Sequence, residues 1–95
     1  MEFVVSNQAK ISNKNIRFAK WKILKLSRRF CEILYSEIYI VKMSEVPLVY
    51  KTTIKLGVPG PDIIVSATSD NLNEMWAELS SKMKRQLRKY ASKKS

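Results

Sequence analysis

Ile16, Ala19, Ile23, Leu26 and Phe30 recur at spacings of three, four, three and four, the mark of an apolar stripe along one face of an α-helix. Ser12 and Asn13, just upstream, offer an N-cap where that helix begins. A rod with a single apolar side is stable only when a second layer covers it, so the rest of the chain must supply a sheet or another helix.

It supplies both. Glu2 to Ser6 is a short apolar run closed by Asn7 and reads as a first strand. Ile33 to Met43 is rich in Ile, Tyr and Val and reads as a second, with Leu34, Ser36, Ile38 and Ile40 on one side. Ser44-Glu45-Val46-Pro47 breaks it. Leu48 to Leu56 alternates, Tyr50, Thr52, Ile54 and Leu56 against Val49, Lys51, Thr53 and Lys55, which predicts a third strand with one wet face. Gly57-Val58-Pro59-Gly60-Pro61 is a strong turn signal leading into a fourth strand over Asp62 to Ser69, with Ile63, Val65 and Ala67 inward. Asp70 or Asn71 can cap a final helix whose core side is Leu72, Met75, Trp76, Leu79, Met83, Leu87 and Tyr90. The predicted fold is α+β, a β-α-β-β-β-α two-layer sandwich with both helices on one face of a four-stranded sheet. At 95 residues the chain reads as a single domain, 1–95.

Charge separates along the chain as cleanly as hydrophobicity does. Phe3 to Cys31 holds Lys10, Lys14, Arg17, Lys20, Lys22, Lys25, Arg28 and Arg29, and Leu79 to Ser95 holds Lys82, Lys84, Arg85, Arg88, Lys89, Lys93 and Lys94. Neither stretch contains Asp or Glu. The formal net charge of +10 exceeds the magnitude of roughly 2 to 8 that serves solubility in a small domain, and such self-repulsion destabilises the compact state. A polyanionic partner is therefore expected. On the first helix Lys14, Arg17, Lys25 and Arg28 oppose the apolar stripe, with Lys22 and Arg29 on its flank. Two helices laid side by side would merge their outer sides into one basic surface. Phe18 and Trp21 project with these cations. They suit either stacking on an exposed base or lying flat over lysine stems.

Catalysis is not expected. Histidine is absent, which removes the commonest general base and metal ligand. The carboxylates Glu2, Glu32, Glu37, Glu45, Asp62, Asp70, Glu74 and Glu78 show no metal-ligand or paired-acid spacing, and Gly57 and Gly60 alone cannot build a phosphate loop. No catalytic residue, metal, cofactor or small-molecule substrate is predicted. Cys31 has no partner for an internal disulfide, in keeping with the cytoplasm. The apolar run Ile38 to Val41 is far short of the ~20 residues that span a bilayer, and the N-terminus does not resemble a secretory signal. No membrane partner is expected.

Lys22-Ile23-Leu24-Lys25-Leu26-Ser27-Arg28-Arg29-Phe30 resembles the K-L-x-R-L-x-R-H-F ending of the first helix in the ribosome hibernation-promoting factor family, also called ribosome-associated inhibitor A or sigma-54 modulation proteins. Lys82-Met83-Lys84-Arg85-Gln86-Leu87, followed by Lys89, is similar to the K-L-x-R-Q-L of that family's last helix. The resemblance implies a β-α-β-β-β-α fold close in outline to the double-stranded-RNA-binding domain. It implies a ribosome-binding domain that occupies the decoding channel of the small ribosomal subunit, touches its ribosomal RNA, and blocks messenger and transfer RNA. The matching positions carried over as RNA-binding are Lys22, Lys25, Arg28, Lys82, Arg85, Gln86 and Lys89; the charge map adds Arg29, Lys84 and Arg88. Arg29 stands where the family has His, and Leu24 and Ser27 where it often has acids, so this helix is more basic than the pattern. The long form's ribosome-dimerising domain is not found before Ser95, which leaves open whether a partner factor in dimerisation is involved. Two rival readings stand: a general RNA- or DNA-binding module, and a protein or anionic-membrane docking face built on Phe18, Trp21 and Leu24.

Overall fold

The computed structural model describes residues 1–94, with side chains as far as residue 92. Of the second basic stretch, the Lys93 and Lys94 side chains and Ser95 lie outside the described residues. The elements are β1 (Glu2–Asn7), α1 (Asn13–Arg29), β2 (Tyr35–Glu45), β3 (Leu48–Gly57), β4 (Ile63–Ser69) and α2 (Leu72–Lys94). The predicted β-α-β-β-β-α order is the observed one.

The strands lie in the order β1-β2-β3-β4, with β1 parallel to β2 and the other pairs antiparallel. Strand alternation puts one row of the sheet under the helices: Val5, Ile38, Ile54 and Val65 are register partners across all four strands. Ile40, Thr52 and Ala67 form the next row, and Ser36, Leu56 and Ile63 the one beyond. From above, Ile16, Ala19, Ile23 and Leu26 of α1 and Met75, Trp76, Leu79, Met83 and Leu87 of α2 complete one core. The two buried polar residues each reach a sulfur, Thr52 Oγ1 donating to Met75 Sδ at 3.2 Å and Ser36 Oγ to Met1 Sδ at 3.7 Å.

Both helices run the same way. β1 and β4 point in one direction, as β2 does, and each is followed by a helix that returns along the sheet. The helix starts therefore lie at the end of the sheet where β2 turns into β3. Their C-terminal ends lie at the opposite end, beside the β3–β4 turn, where the Tyr90 hydroxyl donates to the Pro59 carbonyl.

The β1–α1 connection is held by Asn7, whose amide donates to the Ile11 carbonyl at 2.8 Å while its Oδ1 accepts from the Ile11 N–H at 3.0 Å. Within that clasp Lys10 adopts a φ of 56°, a left-handed conformation that costs a side chain roughly 1 kcal/mol. Ser12 is the N-cap of α1, with its carbonyl accepting from Asn15 and Ile16. Of the two residues offered as cap of α2, Asn71 fills the role: its Oδ1 accepts from the Glu74 N–H at 3.2 Å.

Two expectations for β2 are corrected. The strand begins at Tyr35, because the Ser27 hydroxyl takes the Ile33 N–H at 3.0 Å and holds Ile33 in the preceding turn. Leu34, grouped by the alternation with Ser36, Ile38 and Ile40, lies outside the strand and is half exposed, whereas those three are buried. At the far end β2 runs into the predicted break as far as Glu45, absorbing a register shift between Lys42 and Ser44, and the turn is confined to Val46 and Pro47.

Gly57 pairs with Tyr35, whose ring lies across it; a Cβ there would stand 2.1 Å from Tyr35 Cε1. Gly57→Ala must displace the ring and with it the Tyr35 hydroxyl, 3.2 Å from both Asp62 oxygens. Overpacking of this kind costs ~1–3 kcal/mol. Thermal unfolding of the variant is expected several degrees below that of the parent, and an unchanged midpoint would show that the ring yields freely.

Candidate nucleic-acid interface

The helix layer carries the cations. On α1, Trp21 sits at the crest of the solvent side, with Lys14, Arg17, Lys25 and Arg28 around it, all exposed. Lys25 Nζ lies 4.7 Å above the Trp21 ring, and Phe18 meets Trp21 in a tilted pair with centroids 6.1 Å apart. The Lys25 ammonium thus covers one side of the Trp21 ring. Trp21 nevertheless remains 51% exposed and Phe18 44%. Arg28 turns toward the β1 side, bordering a hollow with Met1, Leu24 and Leu34, and Arg29 lies against the Phe30 ring at 5.3 Å.

Lys22, half-buried, faces α2. Between the helices runs an open groove of about 600 Å³ whose α1 wall is Lys14, Asn15, Phe18 and Lys22. Its α2 wall is Asn73, Trp76, Ala77 and Ser80. Trp76 Nε1 donates to Asn15 Oδ1 at 3.1 Å, and Asn15 Nδ2 donates to Ser12 Oγ at 2.9 Å, so a short relay ties the first turns of the two helices together. None of these lining residues was singled out as a pair across the helices. The available signal was the small pair Ala77 and Ser80 on one flank of α2.

The cations of α2 divide between its two flanks. Helical spacing continues the groove side from Ala77 and Ser80 to Lys84, half-buried, with the exposed Arg88 one turn on toward solvent. Lys82, Arg85, Gln86 and Lys89 form the opposite stripe. Lys82, Arg85 and Gln86 border a hollow with Ile64, Val65 and Ser66 of β4, and Gln86 and Lys89 border another with Pro61, Asp62 and Ile63. The four α2 positions carried over by resemblance therefore look over the free edge of β4, away from Lys22. The cations of the helix layer thus lie on two faces that meet at the outer crest of α2, around Arg85 and Arg88.

Lys82 is already engaged within the protein. Its Nζ donates to the Ser66 carbonyl at 2.6 Å and stands 3.0 Å from Glu78 Oε2. The contact occupies a backbone acceptor of an edge strand, one way in which a neighbouring helix covers an open sheet edge. Lys82→Met keeps the stem and removes the ammonium; it should lower stability by about 1 kcal/mol. Its effect on binding of a polyanion should be smaller than that of Arg85→Met, measured side by side. A larger loss for Lys82 would show that the ammonium leaves Ser66 to make the contact.

The other sheet face is mixed in charge and lacks this bias. Tyr35, Glu37, Lys55 and Asp62 interact there, Lys55 Nζ lying 3.5 Å from Asp62 Oδ2. Partial burial and the Asp62 hydrogen bond hold the Tyr35 phenol above its usual range, and the Glu37 hydrogen bond does the same for Tyr39. The charges of Tyr35, Glu37 and Asp62 raise Lys55. Among the described residues no group of three or more Cys, Asp or Glu is placed to hold a metal ion, and no helix is long and apolar enough to cross a membrane.

Fold and surface together define a class: a two-layer α+β protein with a cationic helical layer over a mixed sheet. The chain belongs to the Sigma 54 modulation protein / S30EA ribosomal protein family, whose model matches residues 4–95. Proteins of this family associate with ribosomes and modulate translation, and they are not enzymes. The fold is similar to that of a ribosomal subunit interface protein from Coxiella burnetii, with a TM-score of 0.80 and 21% identity over 97% of this chain and 99% of that one. It is also similar to the N-terminal domain of Protein Y from Thermus thermophilus, with a TM-score of 0.73 and 12% identity over 94% of each chain. Comparison with curated protein sequences gives no match.

Proposed function

We propose that the protein silences ribosomes by occupancy: it binds the small subunit at the decoding channel, in the cytoplasm, and excludes messenger and transfer RNA. The observation that carries this reading is a helical layer in which α1 has no acid at all and α2 has none beyond Glu78, in a chain of a ribosome-associated family. Docking of Lys and Arg on ribosomal RNA releases condensed counterions, so affinity should fall steeply with salt. Specificity would come from the fit of two parallel helices to folded RNA, which is read largely by shape and backbone. No covalent step is needed. Lys22, Lys25, Arg28, Arg29, Lys84, Arg85, Arg88 and Lys89, with Gln86 beside them, are the contact residues of this reading; Lys82 contributes by holding the edge of β4. A partner factor in ribosome dimerisation would bind outside these contacts.

The test is co-sedimentation with purified small subunits and whole ribosomes across a salt series, with messenger and transfer RNA as competitors. Stoichiometric, salt-sensitive binding displaced by the competitors is expected. Equal affinity for free duplex or single-stranded RNA would reduce the function to general nucleic-acid binding.

A further inference from the structure

We propose that the groove between α1 and α2 seats one unpaired nucleobase of the bound RNA, with Lys14 and Lys22 at the phosphates on either side of it. This rests on the ribosomal-RNA reading above and adds to it a site that reads a base rather than the backbone. At about 600 Å³ the groove falls within the ~300–1,000 Å³ typical of sites that enclose small organic ligands.

Its chemistry selects among such ligands. Phe18 presents an aromatic ring at one wall while remaining 44% exposed, so its ring is accessible to a ligand in the groove. Aromatic rings exposed beside cations are the stacking platforms of proteins that hold unpaired nucleotides. The polar groups suit the edge of a base: the Asn73 amide and the Ser80 hydroxyl line the groove and carry no side-chain hydrogen bond among the described residues. No carboxylate lines it. Glu78 pairs with Lys82 on the flank of α2 turned toward β4, and Glu74, exposed at the solvent crest of the helix, is not among the lining residues. An acid-free groove with lysines at its mouth suits an anionic ligand, and the Asn15 to Trp76 link fixes the spacing of the first turns that form it.

The experiment footprints small subunits saturated with protein, using hydroxyl radicals for the backbone and base-selective methylating and carbodiimide reagents for base edges. The parent protein should protect the edge of an unpaired base inside its backbone footprint. Ala77→Trp, at an exposed position on the α2 wall, fills the groove without changing charge; it should keep the backbone footprint, lose the base protection and bind roughly tenfold more weakly, a typical stacking contribution. Phe18→Ala removes the opposing ring and should weaken the same protection; circular dichroism establishes that each variant folds, and Phe18→Ala decides alone if Ala77→Trp does not. Base protection that is absent from the parent, or that persists unchanged in the folded variants, overturns the inference while leaving ribosome binding intact. Absence of any backbone footprint with the parent overturns the ribosome reading itself, and this site with it.

Discussion

Replacing Lys25 and Arg28 together with glutamate should weaken binding to small ribosomal subunits by roughly ten- to a hundredfold and flatten the dependence of log affinity on log salt by about two units, as expected when two phosphate contacts are lost. Both side chains are exposed on the solvent side of α1, opposite the buried stripe, so the fold should survive. The informative control is Lys42→Glu with Lys51→Glu, an equal change in net charge made on the sheet. Lys51 projects from the face away from the helices, and Lys42 makes only a 4.0 Å contact with the exposed Glu45. An equal loss from that control would mean that net charge alone governs binding and that no face of the molecule is privileged.

Ile23→Asp should abolish the folded state. Ile23 is fully buried at the centre of the α1 stripe, in the same core as Ile38 and Ile54 of the sheet. An unpaired carboxylate in such a place either stays ionised at a cost of several kcal/mol or takes up a proton and still lacks a partner. Added to the loss of an isoleucine's packing, this consumes most of a native stability that is typically ~5–15 kcal/mol. Loss of the far-ultraviolet helical signal and of a cooperative thermal transition is the expected result. A folded, soluble variant would mean that α1 buries a different face.

The elements that could be read from the sequence are those governed by side-chain period. The stripe from Ile16 to Phe30, the alternation from Leu48 to Leu56 and the Gly57 to Pro61 turn each depend on neighbours a few residues away, and each stands in the structure with its bounds shifted by no more than a residue. Where a distant group decides, the local pattern does not determine the structure. Leu34 continues the alternation of β2, yet Ser27 and Gly57 fix the backbone around it and leave it outside the strand. The clasp of Asn7 over Ile11 and the left-handed Lys10 depend on a loop geometry that no periodicity encodes. At the interface the cations themselves were legible, because charge runs are local. Their grouping was not: the spacing of Lys82, Arg85, Gln86 and Lys89 defines one stripe, but which flank of α2 would face β4 depends on how the helix sits on the sheet. The groove required Phe18 and Ala77 to be neighbours, a relation fixed by the parallel arrangement of the two helices.

That shared direction gives the molecule an electrical polarity along its 47 Å length. At the end where the helices start, Lys10, Lys14, Arg17 and Lys42 are nearly matched by Glu45, Asp70, Glu74 and Glu78. At the end where they finish, Lys25, Arg28, Arg29, Lys84, Arg85, Arg88 and Lys89 outnumber Glu2, Glu32, Glu37 and Asp62, and Asp62 is taken up by Lys55. A body charged in this way experiences a torque in the field of a polyanion while still separated from it, and fields of several kT at protein surfaces are strong enough to align an approaching molecule. If it acts by the ribosome occupancy proposed above, the protein should approach the RNA with its helix C-termini leading, its heading chosen in solution before any side chain touches a phosphate.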